Sequence, residues 1–135
     1  MAKLSVCIET FFTDQPYAER IRRVAELGFP AYEFWFHDRR FDGSMLHPEE
    51  KNFDQLAELN QKYRLETSAF VFNHPDGGVV ASLIDSKDRS KLLDRIEHMI
   101  GLAEKIGCRR LISGSGNRRR GLPLGGPDPE HLGQA

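Results

Sequence analysis

Apolar residues recur along the chain with two kinds of spacing, and together these predict strands separated by helices. Short runs with strand-like spacing are followed by longer stretches whose apolar positions fall on one helical face. The predicted strands lie near 4–9, 31–36, 65–72 and 109–113. The predicted helices lie near 16–27, 52–63 and 85–106, with Gly28 and Gly107 as stops for the first and third. The order is therefore βαβαβαβ.

Strands joined by helical crossovers of this length run parallel in one sheet. The strand starts give a mean repeat of 35 residues. An open doubly wound sheet and a closed (β/α)₈ barrel both fit this order. At this repeat a closed barrel of eight units would need about 280 residues, which is an ordinary size for a TIM barrel.

Alternation within the first two strands separates an apolar face from a more polar one. The polar face suits the interior and mouth of a barrel better than a dry sheet face, so we predict that residues 3–117 form the N-terminal half of a TIM barrel. The positions assigned to the helix side are Leu4, Val6, Ile8, Tyr32, Phe34 and Phe36. The positions assigned to the opposite side are Ser5, Cys7, Glu9, Glu33, Trp35 and His37.

Residues 118–135 differ in composition from the preceding repeats. Arginines, glycines and prolines predict a loop, and Asp128-Pro129-Glu130 has the composition of a helix start. The sequence ends five residues later, and so short a helix is not stable alone. We expect a chain truncated at the start of a fourth helix, with a disordered tail as the alternative.

Charge and composition narrow the class of protein. The net charge of −1 argues against a dedicated nucleic-acid binder. No apolar run reaches the roughly 18–20 residues of a membrane span, and the N-terminus lacks a secretory signal. We therefore expect a cytoplasmic protein in which Cys7 and Cys108 are free buried thiols, with a disulfide as the other possibility.

Ligands of parallel α/β folds bind beyond the carboxyl ends of the strands, so residues following the predicted strands are the candidates. Each also has a structural interpretation. Glu33 could be a buried carboxylate held by a Lys or Arg of a neighbouring strand. Phe12 and Trp35 could instead be core residues. His37 and His74 could be solvated loop residues instead of metal ligands or proton carriers. The candidate substrate-binding residues are Glu9, Phe12, Glu33, Trp35, Asn73 and His74.

The glycine-rich segment after the fourth strand could cradle an anion through its backbone N–H groups, with Arg118–Arg120 nearby. It lacks the third glycine of a dinucleotide-binding loop, and no helix follows at once. A solvated loop is the simpler interpretation.

Several short motifs resemble the hydroxypyruvate isomerase-like proteins of the xylose isomerase-like TIM barrels. In the opening segment from Lys3 to Phe36 they are Phe12-Thr13, Pro16, Glu19-Arg20, Ala25-x-x-Gly28-Phe29 and Glu33-Phe34. Phe72-Asn73 and Leu111–Gly116 are similar more loosely, so the resemblance spans about residues 3–117.

This resemblance implies an isomerase or epimerase of small hydroxy-carbonyl compounds in carbohydrate metabolism. Such enzymes move a proton through an enediolate beside a divalent metal, Mg²⁺ or Mn²⁺. In the family, however, the metal ligands and catalytic glutamates come from later strands that this sequence does not contain. The resemblance therefore implies no catalytic residue and no metal ligand on this chain, but only part of a substrate pocket.

We accordingly expect this chain to be inactive alone. One alternative is a non-catalytic half-barrel that self-associates through its open edges or pairs with another chain. A second alternative is a fragment of an abasic-site endonuclease-like barrel, which the near-neutral charge and few histidines disfavour. Neither nucleic acid nor membrane is an expected partner of the isomerase.

Overall fold

A four-stranded parallel sheet organises the chain. The computed structural model describes residues 4–38, 49–73, 81, 83 and 86–114. Within them, the strands of this sheet are β1 (Ser5–Cys7), β2 (Ala31–Trp35), β5 (Glu66–Val71) and β6 (Leu111–Ile112); β3 (His37–Asp38) and β4 (Glu49–Glu50) form a separate short pair. The sheet has the order β1-β2-β5-β6, and every neighbouring pair is parallel. The prediction of a parallel α/β fold is confirmed.

Three helices connect these strands: α1 (Tyr17–Glu26), α2 (Phe53–Tyr63) and α3 (Arg89–Lys105), the last preceded by a 3₁₀ turn at Ser86–Asp88. Asn52 begins α2, since its Oδ1 accepts the backbone N–H groups of Asp54 and Gln55 at 3.0 and 3.1 Å. Gly28 and Gly107 follow α1 and α3 with φ values of +79° and +66°. These are the predicted left-handed stops.

The hydrophobic core lies between one face of the sheet and the helices. Phe34 and Phe70 stack from adjacent strands with centroids 5.2 Å apart, and Phe53 of α2 packs edge-on against Phe70 at 5.3 Å. Tyr32, Phe34 and Phe36 are all essentially inaccessible to solvent, so β2 presents alternate residues to the helices as predicted.

Two features depart from the sequence analysis. A short antiparallel pair, β3 (His37–Asp38) with β4 (Glu49–Glu50), stands where only a loop was predicted after residue 38. The apolar stripe assigned to α3 is also not wholly buried, because Leu93 and Ile100 are 59% and 47% exposed. They share the flank of α3 turned away from the core.

Other predictions fall outside the described residues. These are the conformation of His74, most of the glycine-rich segment after β6, and the whole of 118–135.

Candidate functional site

The carboxyl ends of the parallel strands hold a buried group of charged side chains. Glu9 follows β1, Arg20 comes from α1, Asp38 from β3, and Lys51 directly precedes the Asn52 cap of α2. We call these four residues the charged cluster. The side chains of Arg20 and Lys51 are fully buried, and those of Glu9 and Asp38 are 2% and 11% exposed.

Glu9 is the centre of the charged cluster. Its Oε2 accepts a hydrogen bond from Arg20 at 3.1 Å, and its Oε1 accepts one from Lys51 Nζ at 2.7 Å. Oε1 also accepts the backbone N–H of Trp35 at 3.2 Å. Two cations and a peptide N–H therefore hold this carboxylate, as a buried charge requires.

Lys51 has an acceptor for each of its three ammonium protons. Besides Glu9, it donates to the backbone carbonyls of Trp35 at 2.8 Å and His37 at 3.0 Å. Burial lowers the pKa of Lys51, and the Glu9 carboxylate opposes that shift. These bonds fasten the start of α2 to the exit of β2.

Arg20 links the same cluster to α1 and to the loop after β1. Its Nε donates to the carbonyl of Gln15 at 2.7 Å, and its second terminal nitrogen lies 3.1 Å from Asp38. Arg20 was missed by the sequence reasoning, although a signal exists. It lies on the same helical stripe as Ile21 and Val24, and a charged residue on a buried stripe indicates a buried ion pair.

Glu9 does not lie where the strand alternation predicted. It was assigned to the face opposite the helices, but its carboxylate binds Arg20 of α1. The reason is that β1 ends at Cys7, and the turn that follows no longer alternates in direction. The arrangement expected for Glu33, a buried carboxylate held by basic side chains, is therefore found at Glu9.

Glu33 lies on the inner face of the sheet, the face turned away from the helices. It is partly exposed and lies beside Cys7, its register partner on β1. Burial raises the pKa of the Cys7 thiol, and the neighbouring Glu33 carboxylate raises it further. Cys7 and Cys108 are both free thiols; Cys108 is buried and Cys7 is half-buried.

Hydroxyl groups occupy the inner face nearer the amino ends of the strands. Ser5 and Ser68 are hydrogen-bonded through their Oγ atoms at 2.6 Å, across the intervening β2. Ser68 Oγ also lies 3.2 Å from the carbonyl of Tyr32, where the register of β2 and β5 shifts. The inner face is therefore polar at this level, as the alternation predicted.

Trp35 and Phe12 are exposed aromatic residues of the predicted pocket wall, at the end of β2 and after β1, and Trp35 also contacts the charged cluster. Trp35 ends β2 and is 37% exposed, and its backbone is held by Glu9 and Lys51. Phe12 is 38% exposed in the loop after β1 and has a φ of +54°. This left-handed conformation is uncommon for a bulky residue and is found where a loop is held in a fixed shape.

Asn73 connects the exits of β5 and β6. Its Oδ1 accepts hydrogen bonds from Ser113 Oγ at 3.1 Å and from the backbone N–H of Gly114 at 3.2 Å. The end of β2 and the end of β5 are neighbours in the sheet, so Asn73 and Trp35 lie at the same rim. The location of His74 is outside the described residues.

The described residues do not offer a metal site. Nowhere among them do three or more His, Cys, Asp or Glu side chains group so as to hold a metal ion. Glu9 and Asp38, the carboxylates of the charged cluster, both lie beside Arg20 and Lys51. The donors described in this chain therefore do not fit the divalent ion that the resemblance implies.

Comparison with known proteins places this geometry among TIM barrels. No protein-family profile matches the chain, and no curated protein matches it. Among solved structures, an AP endonuclease of family 2 from Brucella melitensis superimposes with a TM-score of 0.67 and 24% identity. A xylose isomerase-like TIM barrel/4-hydroxyphenylpyruvate dioxygenase fusion protein superimposes with a TM-score of 0.55 and 17% identity.

The two matches cover most of this chain but a minor part of each neighbour. They include 86% and 82% of this chain, and 42% and 16% of the endonuclease and the fusion protein. The chain thus spans less than half the length of either neighbour. At these identities the likeness shows the fold alone, which is that of part of a TIM barrel. Within the described residues, no helix is long and apolar enough to cross a bilayer.

Proposed function

We propose that this chain forms the N-terminal half of a cytoplasmic barrel that isomerises or epimerises small hydroxy-carbonyl compounds, as in hydroxypyruvate isomerase-like proteins. The observation that carries the proposal is the rim formed by Trp35 and Asn73 at the ends of neighbouring parallel strands. Ligands of TIM barrels bind at this end.

The chemistry assigns this half a binding role. A proton beside a carbonyl group is only weakly acidic, so its removal needs a positioned base and a cation beside the developing enediolate. Glu9 is committed to Arg20 and Lys51 and is unsuited to act as that base. We therefore assign the base and the Mg²⁺ or Mn²⁺ ligands to strands other than these four.

Within this scheme the charged cluster positions the pocket wall. Glu9 accepts the backbone N–H of Trp35, and Lys51 donates to its carbonyl. These two bonds hold the Trp35 backbone in place and so position its indole at the rim. Phe12, Glu33, Asn73 and His74 are the other proposed wall residues. An aromatic wall and a few polar groups are typical of a site for a small polar substrate.

Complementation in trans tests the proposal. The chain alone, with Mg²⁺ or Mn²⁺ added, should not interconvert hydroxypyruvate with its aldehyde isomer. Mixed with the separately produced C-terminal half of a hydroxypyruvate isomerase-type barrel, it should restore turnover. Trp35→Ala and Asn73→Ala should lower that turnover, whereas Gln61→Ala, at an exposed position of α2, should not. Activity of the chain alone would contradict the assignment of the catalytic groups elsewhere.

An abasic-site endonuclease-like barrel is the second candidate, because the AP endonuclease from Brucella melitensis matches this fold. Against it stands the net charge of −1, since binding to the DNA backbone draws on Lys and Arg. A gel-shift titration of abasic duplex at low salt separates the two candidates. Binding that weakens steeply with added salt would favour the endonuclease.

A further inference from the structure

Both edges of the parallel sheet lack a neighbour among the described residues. β1 pairs with β2 alone and β6 with β5 alone. Parallel sheets are normally covered on both faces, and exposed edges are templates for pairing with another chain. The described residues also leave apolar side chains of the inner face exposed, since Trp35 and Ile112 are 37% and 42% exposed.

We propose that a second copy of this chain closes the half-ring, so that two copies form one eight-stranded parallel barrel. A two-fold axis parallel to the strands preserves strand direction. It therefore places β6 of one copy parallel to β1 of the other, and it does so at both seams at once. Four strands from each copy give the eight that a TIM barrel requires. This inference does not rest on the proposed isomerase function; in the active enzyme the complementary half-barrel would displace the second copy from the same two edges.

The charges on the inner face are complementary to a second copy. Glu33 of β2 pairs in register with Ala69 of β5. Arg110 lies beside β5, where its carbonyl accepts the Phe70 N–H at 3.3 Å and its Nη1 donates to the carbonyl of Ser68, a residue of the inner face, at 3.5 Å. An acid and a base thus stand about two strands apart on the inner face. In a two-fold ring, Glu33 and Arg110 of one copy are followed by Glu33 and Arg110 of the other. Acidic and basic residues therefore alternate around the ring, and like charges are not brought together.

The apolar residues of the inner face also favour a second copy of this chain as the partner that closes the half-ring. The interior of a TIM barrel is filled by inward side chains, mainly bulky ones. Trp35 and Ile112 supply such side chains from β2 and β6, and a second copy returns the same two residues from the opposite wall. Closure therefore buries the exposed apolar side chains of both copies together.

Sedimentation and fluorescence across a concentration series test the proposal. We expect conversion from a species of 15.4 kDa to one of twice that mass as the concentration rises from the low micromolar range. Trp35 is the only tryptophan, so its emission should shift to shorter wavelength over the same range. A folded monomer at the highest attainable concentration would overturn the proposal, and so would a dimer whose emission does not move.

Matched variants locate the interface. Ile112→Lys places a charge on the inner face next to a seam and should keep the chain monomeric. Gln61→Lys adds the same charge on α2, the middle helix, and should leave dimerisation unchanged. If Ile112→Lys does not fold, Arg110→Glu is the second variant, at an exposed position. It should weaken the dimer at least tenfold, because both copies would then carry only acidic residues at positions 33 and 110 of the inner face.

The remaining outcomes also decide the question. A dimer that survives both Ile112→Lys and Arg110→Glu uses another surface, which refutes the ring. Open-ended polymers would show that the edges pair without closing, which refutes it as well. Dimerisation without isomerase activity supports the ring and agrees with the proposed function. Restored activity in trans from a chain that stays monomeric alone would support the function while refuting the ring.

Discussion

The two faces of the sheet differ in how completely their side chains are satisfied. On the helix side, Phe34 and Phe70 are fully buried, and the charged cluster at that edge pairs its acidic side chains with its basic ones. On the inner face, Trp35 and Ile112 remain partly exposed, and Glu33 has a thiol as its neighbour. The helix side therefore supplies most of the stability of the fold, whereas the described part of the inner face leaves apolar side chains partly exposed.

The strongest test of this difference compares two adjacent residues of β2. Phe34→Ala removes a fully buried ring and should lower the free energy of unfolding by about 3–5 kcal/mol. Trp35→Ala removes a larger side chain that is 37% exposed on the inner face, and it should cost about 1 kcal/mol.

Urea unfolding followed by circular dichroism at one low protein concentration measures both variants. Low concentration matters because self-association would add to the apparent stability. Equal losses for the two variants would show that the inner face is packed as tightly as the helix side.

The next largest effect concerns the charged cluster. Glu9→Gln leaves Lys51 and Arg20 without their central carboxylate in a buried environment, and it should cost about 3 kcal/mol. The double variant Glu9→Gln/Lys51→Met should lose less than the two single losses combined, by at least about 1 kcal/mol.

Lys105→Met provides the matched control, because Lys105 pairs with Asp54 at 2.8 Å with both side chains at least half exposed. We expect it to cost below about 1 kcal/mol. A Glu9→Gln variant as stable as this control would mean that the charged cluster contributes little to folding.

The charged cluster also marks the limit of what the sequence could predict. The positions of the four parallel strands and the three helices follow from hydrophobic period and from Gly28, whereas the short β3–β4 pair was not predicted. Glu9 was assigned to the wrong face because alternation holds only while a strand continues, and β1 ends two residues earlier. Lys51 gave no signal, since its partners come from the turn after β1, from β2 and from β3, which are distant in sequence.

The rim residues Trp35 and Asn73 show both what the sequence could predict and what it could not. Trp35 was predicted to lie at a strand exit because it is near the end of the run 31–36, and on the face opposite the helices because it alternates with Phe34 and Phe36. In the structure Trp35 ends β2, and Phe34 and Phe36 on either side of it are buried. The link from Asn73 to Ser113 could not be predicted, because it depends on how far β5 and β6 extend beside each other. The hydrophobic period of a strand predicts which face of the sheet a residue lies on. Which residue it contacts depends on the register between strands, which the sequence does not show.

A pair of asparagines extends the comparison of the two faces to hydrogen bonding. Asn60 of α2 accepts the Tyr32 hydroxyl at 2.8 Å and donates to Thr67 Oγ1 at 3.0 Å, and both partners are buried. Asn60→Ala should therefore cost about 2 kcal/mol, because it leaves buried polar atoms unsatisfied.

Asn73→Ala should cost about 1 kcal/mol, because its partner Ser113 is exposed and water can replace the bond. Thermal unfolding monitored by circular dichroism compares the two. The reverse order would mean that the rim contributes more to stability than the junction between α2 and β5.

The smallest expected effect concerns the thiol on the inner face. Burial and the Glu33 carboxylate both raise the pKa of Cys7, so less of it is thiolate near pH 8 than for an ordinary cysteine. Glu33→Gln removes the negative charge, which should lower the pKa of Cys7 and move its alkylation profile to lower pH. Cys108 is an internal control, since its raised pKa is caused mainly by burial and owes nothing to Glu33. Peptide-level mass spectrometry of iodoacetamide labelling against pH follows both cysteines in one sample. An unchanged Cys7 profile in Glu33→Gln would mean that the Glu33 carboxylate points away from β1. Glu33 would then not be the acidic residue that alternates with Arg110 on the inner face.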